Sequence, residues 1–112
     1  YHGPSLVIGY APCEMHGIKG GMSNSQAEIK KAVEDGYWHL FRYDPRVQNE
    51  GKNGFTLDSK APTGDYKEFL SGEVRYTALT RTFPERAKVL FELAEENAKA
   101  KYQRLVKKAE DK

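Results

Sequence analysis

A short apolar run closed by proline sets the first limit on how this chain can fold. Leu6-Val7-Ile8-Gly9-Tyr10 follows the turn signal Gly3-Pro4 and is stopped by Pro12. A nearly continuous apolar run of this length is the pattern of a strand buried on both faces, the kind found in parallel sheets. Ala11-Pro12-Cys13 then falls just beyond the carboxyl end of that strand. A helix follows. Ser25-Gln26-Ala27-Glu28 has capping-box spacing, Ile29, Ala32 and Val33 supply an apolar face, and Gly36 is a stop after Asp35. The aromatic run Tyr37-Trp38-His39-Leu40-Phe41-Arg42-Tyr43 reads as a second strand closed by Asp44-Pro45. Strand, helix and strand at this spacing predict a βαβ unit with parallel strands and a right-handed crossover, and hence an α/β fold class.

Residues 46–64 change character, to Gly, Asn, Lys, Asp and Pro, and read as a long surface connection with one extended piece at Phe55-Thr56-Leu57. Residues 65–112 read as helical. Asp65 with Glu68 and Thr82 with Glu85 are further capping-box candidates, and Pro84 suits a first helical turn. Phe69, Leu70, Val74 and Ala78 are spaced for one helix. Ala87, Leu90, Phe91, Ala94, Ala98, Tyr102 and Leu105 mark the apolar stripe of a longer one, with Glu95 and Lys99 paired on its wet side. Two parallel strands do not complete an α/β sheet, and the first strand begins almost at a non-Met first residue. The expectation is a piece of a longer protein.

Composition narrows the function classes. Eighteen basic and sixteen acidic residues, a net charge of +2, are interspersed along the chain. That argues against the basic face of a nucleic-acid binder. No apolar run approaches the roughly 18–20 residues of a membrane span. The first residues carry no secretory signal, and a single cysteine forms no disulfide framework. A cytoplasmic, reducing setting is the expectation.

That single thiol, Cys13, lies in Tyr-Ala-Pro-Cys-Glu-Met-His-Gly-Ile-Lys-Gly-Gly, residues 10–21. Three readings stand beside one another. It can be an inert residue at a strand end. It can be a nucleophile paired with His16, three residues on, if an orienting partner is near. It can be one ligand of a metal or cluster whose other ligands come from elsewhere, because a zinc or iron–sulfur site takes about four. Gly17-Ile18-Lys19-Gly20-Gly21 lacks the spacing of a phosphate-binding loop and reads as a turn, although Lys19 could place positive charge near the thiol. His2 and His39 read as structural. Asp44, Arg42 and Arg46 read as ion pairs around Pro45.

Specific strings then carry more than composition. PSLVIGYAPCEMHGIKGGMSNSQAEIKKAV, GYWHLFRYDPR, GKNGFTLDSKAP and FLSGEVRYTALTRTFPERA stand in order from Pro4 to about Tyr102. Together they resemble the C-terminal part of pyruvate:ferredoxin (flavodoxin) oxidoreductase, in the second half of its thiamine-diphosphate-binding domain. The resemblance implies a multidomain enzyme, homodimeric when intact. It cleaves pyruvate with coenzyme A to acetyl-CoA and CO2, using thiamine diphosphate and magnesium. Electrons pass through [4Fe–4S] clusters to ferredoxin or flavodoxin.

On that resemblance residues 1–45 belong to the cofactor domain, 46–64 connect, and 65–112 are its C-terminal helices. The cysteine of the Ala-Pro-Cys motif, Cys13 here, is implied to be the fourth ligand of the cluster nearest the cofactor. The remainder of the same polypeptide would supply the other three. The magnesium–diphosphate motif Gly-Asp-Gly with its downstream Asn is absent from this chain. No catalytic residue is therefore carried over, and the piece alone is expected to be inactive. A related 2-oxoacid:ferredoxin oxidoreductase, or a non-catalytic interaction domain on the same fold, are the alternative readings.

Overall fold

The computed structural model describes residues 1–111. After an irregular N-terminal segment and a 3-10 turn, Met22–Asn24, come α1 (Ser25–Glu34), β1 (Phe41–Tyr43), α2 (Pro45–Asn49) and β2 (Phe55–Leu57). Three helices follow, α3 (Tyr66–Ser71), α4 (Val74–Thr82) and α5 (Pro84–Glu110). The molecule is elongated, 53 × 28 × 23 Å, because α5 runs for 27 residues, about 40 Å at 1.5 Å per residue.

The sheet differs from the expected one. β1 and β2 pair antiparallel, with Phe41 opposite Leu57, Arg42 opposite Thr56 and Tyr43 opposite Phe55. The expected first strand is not one: Leu6–Tyr10 is irregular and pairs with no strand, and Leu6, Val7 and Ile8 are 83, 92 and 67% exposed. The βαβ unit with parallel strands is thus absent among the described residues. The physical reason is pairing. A strand needs a neighbour to satisfy its amides, and β1 is taken by β2, which the turn over Gly51 (φ 73°) folds back onto it. Phe55-Thr56-Leu57, the extended piece of residues 46–64, is β2 itself, and α2 occupies the start of that stretch.

Helix boundaries follow local chemistry. Asp44 caps α2 by accepting from the Arg46 amide at 3.0 Å, with Pro45 in the first turn. Asp65 caps α3, accepting from the Lys67 and Glu68 amides. Gly36 ends α1 at φ 81°, a conformation open to glycine, and the Tyr37 and Trp38 amides turn back to the Ala32 carbonyl. Glu68 pairs with Lys31 at 3.0 Å rather than reaching back to Asp65, so the Asp65 box forms by half, and the other two expected boxes do not form. Ser25 is already inside α1, and Thr82 donates back to the Ala78 carbonyl, leaving Phe83 at the α5 boundary. The helix expected across Phe69 to Ala78 is two helices, broken at Gly72-Glu73, so Val74 and Ala78 face solvent.

The core is small and aromatic. Phe69 and Ala32 are fully buried, Leu70 nearly so, and Tyr66 joins them, with Tyr10, Tyr37, Trp38, Tyr76, Phe91, Ala94 and Ala98 packed around. α3 thereby sits between α1 and α5. Ala87 and Leu105 of the α5 stripe are buried, whereas Leu90 is 41% exposed. The expected Glu95–Lys99 pair closes at 2.9 Å. Phe69→Ala should cost about 3–5 kcal/mol. Urea unfolding followed by circular dichroism checks this, the midpoint falling with little change in slope.

Candidate functional site

Cys13 lies in a tight turn of the N-terminal segment: its carbonyl accepts from the Gly17 amide at 2.8 Å. The turn then enters the body of the protein at Ile18, which is buried and forms an antiparallel bridge with Glu73. Lys19 N–H donates to the Gly72 carbonyl at 2.7 Å and Val74 N–H to the Gly17 carbonyl at 3.2 Å. Gly17, Gly20 and Gly21 have φ of 76°, 87° and 88°, so the glycines allow the reversal from this bridge into α1. Cys13 itself is a free, partly exposed thiol.

Cys13 Sγ stands 2.9 Å from Nδ1 of His16, so the spacing of three does bring the two together. Hydrogen bonding from the His16 ring, then from the His16 backbone amide, holds the thiol pKa below its ordinary value. Beyond His16, no orienting partner stands behind the imidazole among the described hydrogen bonds, so a nucleophilic triad is not assembled. Lys19 is exposed and bonds to Cys13 neither by hydrogen bond nor by ion pair among the described residues. No group of three or more His, Cys, Asp and Glu side chains is gathered for a metal among the described residues. The chemistry available at this turn is therefore that of one partly exposed thiol with a lowered pKa.

The remaining candidates are structural. His39 is 5% exposed, faces the Tyr102 ring at 5.5 Å, and both its ring nitrogens lack partners. Burial, aided by Lys101 of α5, pushes its pKa down. Arg46 pairs with Asp44 at 2.6 Å, and its guanidinium lowers the Asp44 carboxyl to about 2. Arg42 leaves that turn and forks onto Asp58 beside β2. A cleft of about 290 Å³ opens where Gly36, Pro62 and Gly64 face Tyr66, Ala98 and Tyr102. Cys13 is not in its wall.

Sequence reasoning missed a buried polar group beside the Cys13 turn. Glu73 is 1% exposed and accepts from the Tyr10 hydroxyl and, at 2.6 Å, from Arg75 Nε. Arg75 Nη2 donates to the Tyr37 hydroxyl at 3.0 Å, and the Tyr37 and Tyr76 hydroxyls are hydrogen-bonded at 2.6 Å. The only sequence signal was an acidic residue placed directly after Gly72 between apolar neighbours.

No family model matches the chain. Individual relatives do. The chain is 56% identical over 110 residues, 98% of its length, to the pyruvate:ferredoxin oxidoreductase of Moorella thermoacetica. It is 54% identical over 100 residues to the pyruvate-flavodoxin oxidoreductase of Klebsiella pneumoniae. With the mitochondrial pyruvate dehydrogenase [NADP(+)] of Euglena gracilis the identity is 43% over 104 residues. It spans only 9%, 8% and 6% of those proteins. The chain is thus homologous to one segment of a large oxidoreductase. The relatives that carry that segment at 50–56% identity are pyruvate:ferredoxin and pyruvate-flavodoxin oxidoreductases.

Two measurements test the site. His16→Ala should move the midpoint of the pH profile for Cys13 alkylation upward, because the largest thiolate-stabilising contact is gone. A His39 pKa lowered by burial means the unfolded chain takes up that proton first. Stability is then complete above the ordinary histidine value of 6.5 and declines as pH falls through it toward the depressed folded value. His39→Gln should flatten that part of the curve in thermal melts taken between pH 7 and 5.

Proposed function

We propose that this chain is the cluster-ligand segment of a pyruvate:ferredoxin or pyruvate:flavodoxin oxidoreductase. In the intact enzyme, pyruvate and coenzyme A are converted to acetyl-CoA and CO2, and the electrons leave for ferredoxin or flavodoxin. The names of relatives at 50–56% identity support the activity. Residues 1–45 belong to the thiamine-diphosphate-binding α/β domain, 46–64 to a connection across it, and 65–112 to its C-terminal helices. No residue here is assigned to thiamine diphosphate, magnesium or the substrates. The soluble cytoplasm is the proposed setting, in keeping with the lack of any helix long and apolar enough to cross a membrane among the described residues.

The observation that carries the proposal is Cys13. It is a single, partly exposed thiol with a depressed pKa, held on a glycine-flanked turn, and no group of three or more metal-ligating side chains gathers among the described residues. Those properties fit one corner of a [4Fe–4S] cluster, which is bound as thiolate, and do not fit a complete site. When bound, the cluster supplies one-electron transfer. This chain's part is to present the Cys13 sulfur as a thiolate and to keep the turn fixed. The three other thiolates come from the remainder of the polypeptide, and a homodimer is the proposed assembly.

The electron acceptor is a separate matter. The relative from Euglena gracilis is named for NADP(+) and still shares 43% identity over this segment. The segment is thus compatible with different acceptors, and a 2-oxo acid other than pyruvate remains the second reading.

In the intact enzyme, Cys13→Ala should remove one [4Fe–4S] signal from the EPR spectrum of the reduced protein and abolish acceptor reduction. An unchanged cluster inventory in that variant overturns the ligand assignment.

A further inference from the structure

Two sets of contacts, both centred on residue 73, hold the turn that bears Cys13. On its N-terminal side, Tyr10 donates its hydroxyl to the Glu73 carboxylate. The Tyr10 ring is lodged against Tyr37 (5.3 Å), Trp38 (6.0 Å) and Phe69 (6.4 Å). On its C-terminal side, Ile18 bridges to the Glu73 backbone, flanked by the Lys19-to-Gly72 and Val74-to-Gly17 hydrogen bonds. Residues 11–17 therefore span a loop whose two feet rest on one residue. Before Tyr10 the chain is exposed, and between the feet it is held chiefly by its own Cys13–Gly17 turn.

We propose that Glu73 is a positioning residue for Cys13: its side chain, through Tyr10, and its backbone, through Ile18, together fix where the thiol of the turn is presented. The inference rests on the reading of Cys13 as a cluster ligand for its functional consequence, though not for its geometry. Several features make Glu73 suited to this role. A carboxylate 1% exposed is costly to bury unless paired, and Arg75 supplies the charge while Tyr10 supplies a neutral donor. Arg75 is itself fixed, by the Tyr37 hydroxyl and by stacking 4.9 Å over the Tyr76 ring. Burial and the neighbouring Glu73 raise the Tyr10 pKa, so its phenol remains a donor at neutral pH. Removing the Tyr10 hydroxyl leaves a buried carboxylate oxygen short of a partner and frees the N-terminal foot of the loop, with the ring still in place.

The test has two arms. In the chain itself, hydrogen exchange at the Gly17 amide, which closes the Cys13 turn, should be at least tenfold faster in Tyr10→Phe and in Glu73→Ala. Glu73→Gln keeps an acceptor for Tyr10 and should recover most of the protection, while α5 amides stay unchanged in Tyr10→Phe. Gly17 exchange within twofold of the unsubstituted chain in Tyr10→Phe overturns the clamp. That variant keeps the packed ring and answers the question even if Glu73→Ala does not fold.

In the intact oxidoreductase, Tyr10→Phe should retain full iron content yet shift the g-values and midpoint potential of the one signal that Cys13→Ala removes. An unshifted signal there overturns the positioning role and leaves the ligand assignment standing. Retention of every cluster in Cys13→Ala removes the ligand assignment and with it any functional weight of the clamp. The exchange arm then decides the geometry alone.

Discussion

The side chain of Phe69 is completely shielded from water and meets Tyr10 of the N-terminal segment at 6.4 Å and Tyr37, which follows α1, at 4.6 Å. One short helix, α3, therefore ties together parts of the chain that share no sheet. Among the described residues the only extended ladder is the three-residue β1–β2 pair, which leans on α5 rather than on the aromatic centre. Because burial is non-directional, such a centre could tolerate several arrangements of Tyr10. Hydrogen bonding removes that freedom. Glu73, two residues after α3 ends, accepts from Tyr10 and sets the ring's distal end, so the apolar contacts and the polar network specify the same placement. A buried network in which each member has a partner gives that kind of uniqueness.

The parts of the fold legible in the sequence are those decided within a few residues. The Gly36 stop, the Asp65 cap, Pro84 in a first turn, the α5 stripe and Phe55-Thr56-Leu57 as an extended piece all depend on chemistry within one or two turns of chain. The parts decided at long range were not legible. Leu6-Val7-Ile8 has the composition of a buried strand, yet composition does not supply the neighbouring strand on which its pairing depends, and the run is exposed here. Antiparallel pairing of residues 41–43 with 55–57 needed the turn at Gly51 and the dock of Ser59 on Leu40, where the Ser59 hydroxyl accepts from the Leu40 amide at 2.7 Å. The one-helix reading of Phe69 to Ala78 failed at Gly72. Its ideal Cβ would lie 2.8 Å from a Glu28 carboxylate oxygen, a close approach that periodicity does not reveal.

The site divides along the same line. Cys13 and His16 stood out by their three-residue spacing, which by itself does not show contact, and the structure brings them to 2.9 Å. Glu73 was invisible because a lone carboxylate usually reads as a solvated residue. Its partners come from positions 10 and 75, and the first is 63 residues away. The thiol's identity was thus local information, while its support was tertiary information.

Tyr10 is where these two levels meet. The exposed apolar run Leu6-Val7-Ile8 precedes it across Gly9, and three residues after it stands the thiol. A ring wedged between aromatic neighbours and hydrogen-bonded at its tip resists displacement in every direction. Leu6-Val7-Ile8 therefore lead into a backbone anchored at residue 10. A change at Glu73 acts on both feet of the turn, through Tyr10 on one side and Ile18 on the other. The sensitivity of the thiol's placement is in this way concentrated in a buried carboxylate that touches neither the sulfur nor its histidine.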